Sequence, residues 1–112
     1  MSLNELAQHV YNIAADHGFH DDDSRRERVA EFVANLHGET SELWEAWRRG
    51  NLHNPCDKTT SEPLTCAEEE LADILIRTLD TAITMGVDIE RAVRIKSQYN
   101  ESRPHKNGGK LA

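Results

Sequence analysis

All three prolines of this 112-residue chain, Pro55, Pro63 and Pro104, fall between or after four stretches whose apolar residues recur at helical spacing. A proline inside a helix removes a hydrogen bond and clashes with the preceding turn, so periodic stretches that exclude it read as helices. They cover residues 3–16, 25–49, 66–85 and 88–102. The first carries Leu3, Leu6, Val10, Ile13 and Ala14 and stops at His17-Gly18; the second carries Val29, Phe32, Val33, Leu36, Leu43 and Trp47. The third presents Leu71, Ile74, Leu75, Thr78 and Ala82 on one face, Ile76 and Ile83 on nearly the opposite one, and a polar strip of Glu70, Asp73, Arg77 and Asp80. Gly86-Val87-Asp88 breaks the chain, and Asp88 suits the N-cap of the fourth helix. The expected fold is all-α, a four-helix antiparallel bundle-like subunit forming one domain over residues 1–112. Two apolar faces on one helix call for two packing partners. In so short a chain the second is read as another copy, giving a homodimer or homotetramer; burial by the first and fourth helices alone is the alternative.

A chain of this length builds one core, so any site shares it. Its formal charge of −7 argues against a nucleic-acid footprint and an anionic membrane surface, both of which need concentrated Lys and Arg. With no signal-like segment and no apolar run of membrane-spanning length, a soluble, cytoplasmic protein is expected. Cys56 and Cys66 are then read as thiols. With His53 they lack the paired spacing of a zinc site.

Two carboxylate pairs, Glu39-x-x-Glu42 and Glu70-x-x-Asp73, dominate the chemistry. Residues three apart on a helix share a face, so each pair can present its oxygens to one ion. Glu42 lies seven residues before Arg49, the expected end of the second helix, and Asp73 seven after Cys66, the start of the third. In an antiparallel hairpin those two sit level, and the four acids converge. Glu39 falls on the edge of the apolar stripe, where a carboxylate is costly unless paired or cation-bound; a surface glutamate with a snorkelling stem is the alternative. Arg77 reads as the partner of Asp73 four residues back and stays outside the site. Carboxylates without ligating histidines suit Mg2+ or Mn2+. Lys96, Asn100 and Arg103 continue the core stripe of the fourth helix and point donors toward the acids, where phosphate fits between metal and cations; ordinary pairing with the helix dipole is the alternative. Residues 51–65 form a polar loop that covers a substrate or is an inert excursion. The tail, 104–112, is flexible or ordered by substrate, with Gly108, Gly109, Lys106 and Lys110 suited to wrapping phosphates. Stacking candidates for a base are Phe19, His20, Trp47 and above all Trp44 and Tyr99. No Ser or Cys nucleophile has a base beside it, no phosphate-binding Gly-x-x-x-x-Gly-Lys loop exists, and no Glu is followed three residues later by His, as a di-iron bundle needs.

Leu36-His-Gly-Glu39-Thr-Ser-Glu42-Leu43, Glu69-Glu70-Leu71-Ala72-Asp73-Ile74-Leu75, Gly86-Val87-Asp88-Ile89 and Lys96-x-x-x-Asn100-x-x-Arg103-Pro104 together resemble the MazG-like all-α nucleoside triphosphate pyrophosphohydrolases over roughly residues 30–110. The resemblance implies hydrolysis of a (deoxy)nucleoside triphosphate to monophosphate and pyrophosphate by metal-activated water, in a nucleotide-pool sanitation role. It implies Mg2+ held by Glu39, Glu42, Glu70 and Asp73, and Lys96 and Asn100 serving phosphate or metal, with Arg103 a weaker match in the phosphate role. Some members place two adjacent glutamates at the start of the first motif, one as the base. Gly38 stands there in this chain and leaves the general base unassigned. The alternative to an enzyme is a non-catalytic acidic helical-bundle dimer that binds a nucleotide or protein partner.

Overall fold

The computed structural model describes residues 1–21, 25–57 and 61–104. Its elements are four helices: α1 (Leu3–Asp16), α2 (Arg25–Arg48), α3 (Cys66–Met85) and α4 (Ile89–Ser102). The expected helices are therefore present, α2 one residue shorter than its apolar stripe suggested and α4 starting just after its cap.

Local chemistry fixes most of the ends. Ser2 caps α1 and Thr65 caps α3, each in a capping box closed by the third helical residue, Glu5 or Glu68. Asp88 caps α4, its Oδ1 accepting from the Arg91 amide at 3.1 Å and from Asn4 Nδ2 at 2.9 Å. Gly86 ends α3 at φ 71°, a left-handed geometry that a side chain resists.

Helix α3 is the centre of the fold, packed between α2 and α1. The apolar residues buried between them are few: Ala7, Phe32, Leu79 and Ala82. His20, in the α1–α2 connection, reaches across to Asp80 of α3 at 2.8 Å, stacks on Tyr11 with centroids 4.2 Å apart and meets the Phe32 ring edge-on. Helix α4 docks on α1 mainly through its first turn, where Glu90 accepts from the Leu3 amide at 2.8 Å, and none of its residues is buried.

Several side chains read as core are instead exposed in the subunit. Val33, Trp47, Leu71, Leu75 and Ile76 all have 44% or more of their surface in solvent, because no element among the described residues covers those side chains of α2 and α3. The first and fourth helices do not supply the missing cover. No helix among the described residues is long and apolar enough to cross a membrane.

The loop after α2 is fastened at its base. The Cys66 amide donates to the Asn54 carbonyl at 2.9 Å, Ala67 to Leu52 at 2.8 Å and Cys56 to Leu64 at 2.8 Å. Cys56 and Cys66 are not joined in a disulfide. Residues 58–60 of this loop, and 105–112 of the glycine-rich tail, lie outside the described residues, so the phosphate-wrapping expectation falls there.

Candidate metal centre

Glu39 rises from the middle of α2, and Glu70 and Asp73 from the first two turns of α3. One carboxylate oxygen from each lies within 4.8 Å of the others, a spacing compatible with one shared cation. All three residues are half-buried.

The fourth expected ligand, Glu42, is exposed and joins the cluster through a hydrogen bond to Glu70. Glu42 is thus opposite Glu70, and Glu39 interacts with Asp73. The connection ties the two helices together. Helix α2 stops at Arg48, Asn51 folds back on the Ala46 carbonyl at 2.8 Å, and Leu52 and Asn54 then stitch to the first residues of α3.

The electrostatics follow from crowding acids away from water. Burial, the hydrogen bond that the protonated Glu70 carboxyl donates to Glu42, and the charges of Glu42, Asp73 and Glu39 push the Glu70 carboxyl up to about 7. Burial, then Asp73 and Glu42, raise Glu39 above the ordinary glutamate range, with Arg77 opposing. Arg77 lies on α3 and donates from Nε and Nη2 to Glu39 Oε1, both at 3.4 Å. Spacing along α3 did not suggest this partner, because the contact crosses between helices.

Glu70 Oε2 is a buried oxygen with no hydrogen-bond partner. An acceptor held out of water without a donor is expensive, and a cation satisfies it. The donor set is all carboxylate oxygen, which fits Mg2+ or Mn2+ and not a thiolate- or imidazole-preferring metal. Glu39, Glu70 and Asp73 therefore fit a hard divalent ion, with Glu42 at the rim.

Beside the acids is a cavity of about 380 Å³ between α1, α2 and α3. Ile13, Phe32 and Ile76 contribute apolar wall; Asn35, Asp80 and Arg77 contribute polar groups, and Asp73 touches both cavity and acid cluster. Sequence reading missed this cavity, whose walls come from three helices. Asp80, on the polar strip of the third helix, and Asn35 were the only sequence signals for it, and neither one names a ligand.

The anticipated phosphate ligands and stacking rings are elsewhere. Lys96 and Asn100 are exposed on α4, and Arg103 is half-buried at its end. Tyr99 holds Lys96 Nζ 4.4 Å above its ring and Arg103 at 5.6 Å. Because α4 packs on α1 and does not cover the α2–α3 acids, the single subunit does not bring these cations to the cluster. Trp44 and Trp47 pack on each other on the open face of α2, centroids 4.9 Å apart, and neither lines the cavity; Phe19 and Phe32 do. His20 is committed to Asp80 and Tyr11. Compared with protein-family models, characterised proteins and solved structures, the chain finds no match.

Proposed function

We propose that the protein is a divalent-cation-dependent hydrolase of (deoxy)nucleoside triphosphates, releasing monophosphate and pyrophosphate in the manner of the MazG-like group its motifs resemble. The observation that carries this reading is the convergence of Glu39, Glu70 and Asp73 from two helices, with a buried Glu70 oxygen lacking a donor. Glu39, Glu70 and Asp73 would hold Mg2+, which supplies Lewis acidity toward phosphate and lowers the pKa of water.

The chain's own residues set position and dielectric. Half-burial of the three carboxylates keeps bulk water from screening the cluster, so charge developing on phosphate is felt strongly there. The cavity beside Asp73 has the volume for a nucleoside, with Ile13, Phe32 and Ile76 to exclude water from a base and Asn35 and Asp80 to hydrogen-bond it. Glu42, exposed and touching Glu70, is placed to take up a proton at the rim.

We further propose a cytoplasmic homo-oligomer, supported by the exposed Trp44 and Trp47 of α2 and the exposed Leu71 and Leu75 of α3. Lys96, Asn100 and Arg103 keep a phosphate role only within such an assembly. Incubation of the purified protein with Mg2+ and a panel of canonical and modified triphosphates, resolving monophosphate plus pyrophosphate from diphosphate plus phosphate, tests the reaction. Monophosphate with pyrophosphate is the expected pair. No turnover with any triphosphate in Mg2+ or Mn2+ leaves the acidic bundle as a non-catalytic binding module.

A further inference from the structure

Arg77 stands between the acid cluster and the cavity. Its guanidinium donates to Glu39 at 3.4 Å and also forms part of the cavity wall beside Asp73 and Asp80. The two partners are unequally held: the Glu39 side chain is 13% exposed, that of Arg77 41%. Both donors converge on a single oxygen at distances beyond the usual N–H···O range, so the pair lacks the parallel, two-oxygen fork of a strong Arg–carboxylate contact. Arg77 is a loosely held cation at the mouth of a pocket.

Resting on the metal and triphosphate reading above, we propose that Arg77 is an exchangeable counter-ion: it neutralises Glu39 in the metal-free protein and moves to a substrate phosphate when the acids take a divalent cation. A guanidinium and a divalent cation at the same carboxylate repel each other, and Glu39 shared with the metal no longer needs Arg77. The released side chain is already on the cavity wall. A guanidinium matches phosphate oxygens better than it matches one oxygen of a crowded carboxylate. Metal binding thus frees the phosphate-binding group, and the coupling is reciprocal: a phosphate that captures Arg77 leaves Glu39 unpaired and favours the metal. This supplies one cation to the polyphosphate from within the subunit, independently of α4.

The test uses full-length wild type, R77Q and R77K. Mn2+ binding is followed by paramagnetic resonance without nucleotide, thermal melting in chelator, and steady-state kinetics with whichever triphosphate the wild type turns over. Loss of a partly exposed competitor makes R77Q bind Mn2+ about two- to fivefold tighter. Loss of a charged phosphate contact raises its KM about tenfold, more than it changes kcat, and R77K recovers part of that increase. If Arg77 only staples α2 to α3, R77Q melts lower, binds Mn2+ no more tightly and keeps its KM, which overturns the exchange. Wild-type protein that binds no Mn2+ instead overturns the metal reading beneath it. Should R77Q fail to fold, the Arg77 Nε–H nuclear resonance in the wild type, assigned with R77K, decides: it shifts on addition of Mg2+ if Glu39 releases it, and an unmoved signal in Mg2+-bound protein overturns the proposal.

Discussion

Glu70 carries the largest electrostatic strain among the described acids, and its effect on stability has a definite sign. Its carboxyl holds a proton to about 7 in the folded protein, against an ordinary 4.5. The folded state therefore binds protons more tightly than the unfolded chain, so this stabilisation is complete below about 4.5 and is lost as pH rises through about 7. Glu39, also raised, adds the same sign. Glu5, Glu68 and Asp88 are lowered by their caps and act in the opposite direction, but below the ordinary carboxylate range. In chelator, the melting temperature is expected to fall between pH 5 and 7.5, and millimolar Mg2+ to reverse the fall at the upper end by binding only the native state. Melting curves that are flat with pH and indifferent to Mg2+ would contradict a preformed cluster. At the same scale, Asp73→Asn removes a ligand shared by cluster and cavity. Activity should drop by at least about a hundredfold, the upper range for outer-shell changes alone, while helical content by circular dichroism stays at the wild-type level.

The elements owe their ends to short-range chemistry and their alignment to longer-range contacts. Thr65 accepts from the Glu68 amide at 3.2 Å, and Glu68 in turn accepts from the Thr65 amide at 2.9 Å, next to the turn that presents Glu70. Thr65→Ala should cost about 1 kcal/mol, or about 4 °C in melting temperature, and weaken Mg2+ binding by loosening the first turn of α3. A variant that melts like wild type would show that the α2–α3 stitching through Asn54 and Leu52, not the cap, holds this end. Helix α4 differs in kind. It buries nothing in the subunit and is tied at its first turn, so in a monomer its amides should exchange with solvent far faster than those of α3. Slow exchange along α4 would indicate that another surface covers it.

For the whole molecule, the question is what lies against the open face. Ala7, Phe32, Leu79 and Ala82 make a slight core, while Trp44, Trp47, Leu71 and Leu75 each leave 47% or more of their surface in solvent. Several large apolar side chains left exposed on two packed helices point to an interface. Light scattering is expected to give a dimer or tetramer, and Leu71→Glu with Trp47→Glu to give a smaller, less stable species. A wild-type monomer at micromolar concentration would remove the proposed oligomer, and with it any phosphate role for Lys96, Asn100 and Arg103 on α4.

Proline placement, apolar periodicity and cap residues are local, and they were enough to place four helices within a residue or so and to single out Glu39, Glu42, Glu70 and Asp73, of which Glu39, Glu70 and Asp73 bring carboxylate oxygens within 4.8 Å of one another. Those signals persist because a helix end is satisfied within one turn of itself, and because a carboxylate on a core-facing stripe needs a reason to be there. The tertiary structure alone decided the rest. How residues 49–54 fold back onto the start of α3 is a matter of tertiary contacts, and so is the meeting of Glu42 with Glu70 across the two helices. Arg77 found Glu39, 38 positions away, because packed helices bring together side chains that no spacing along one helix relates. The cavity beside Asp73 belongs to three helices at once, and the continuation of the α4 stripe into Lys96 and Asn100 pointed at a core that α4 does not join. Periodicity says which face of a helix is apolar; only packing says what that face meets.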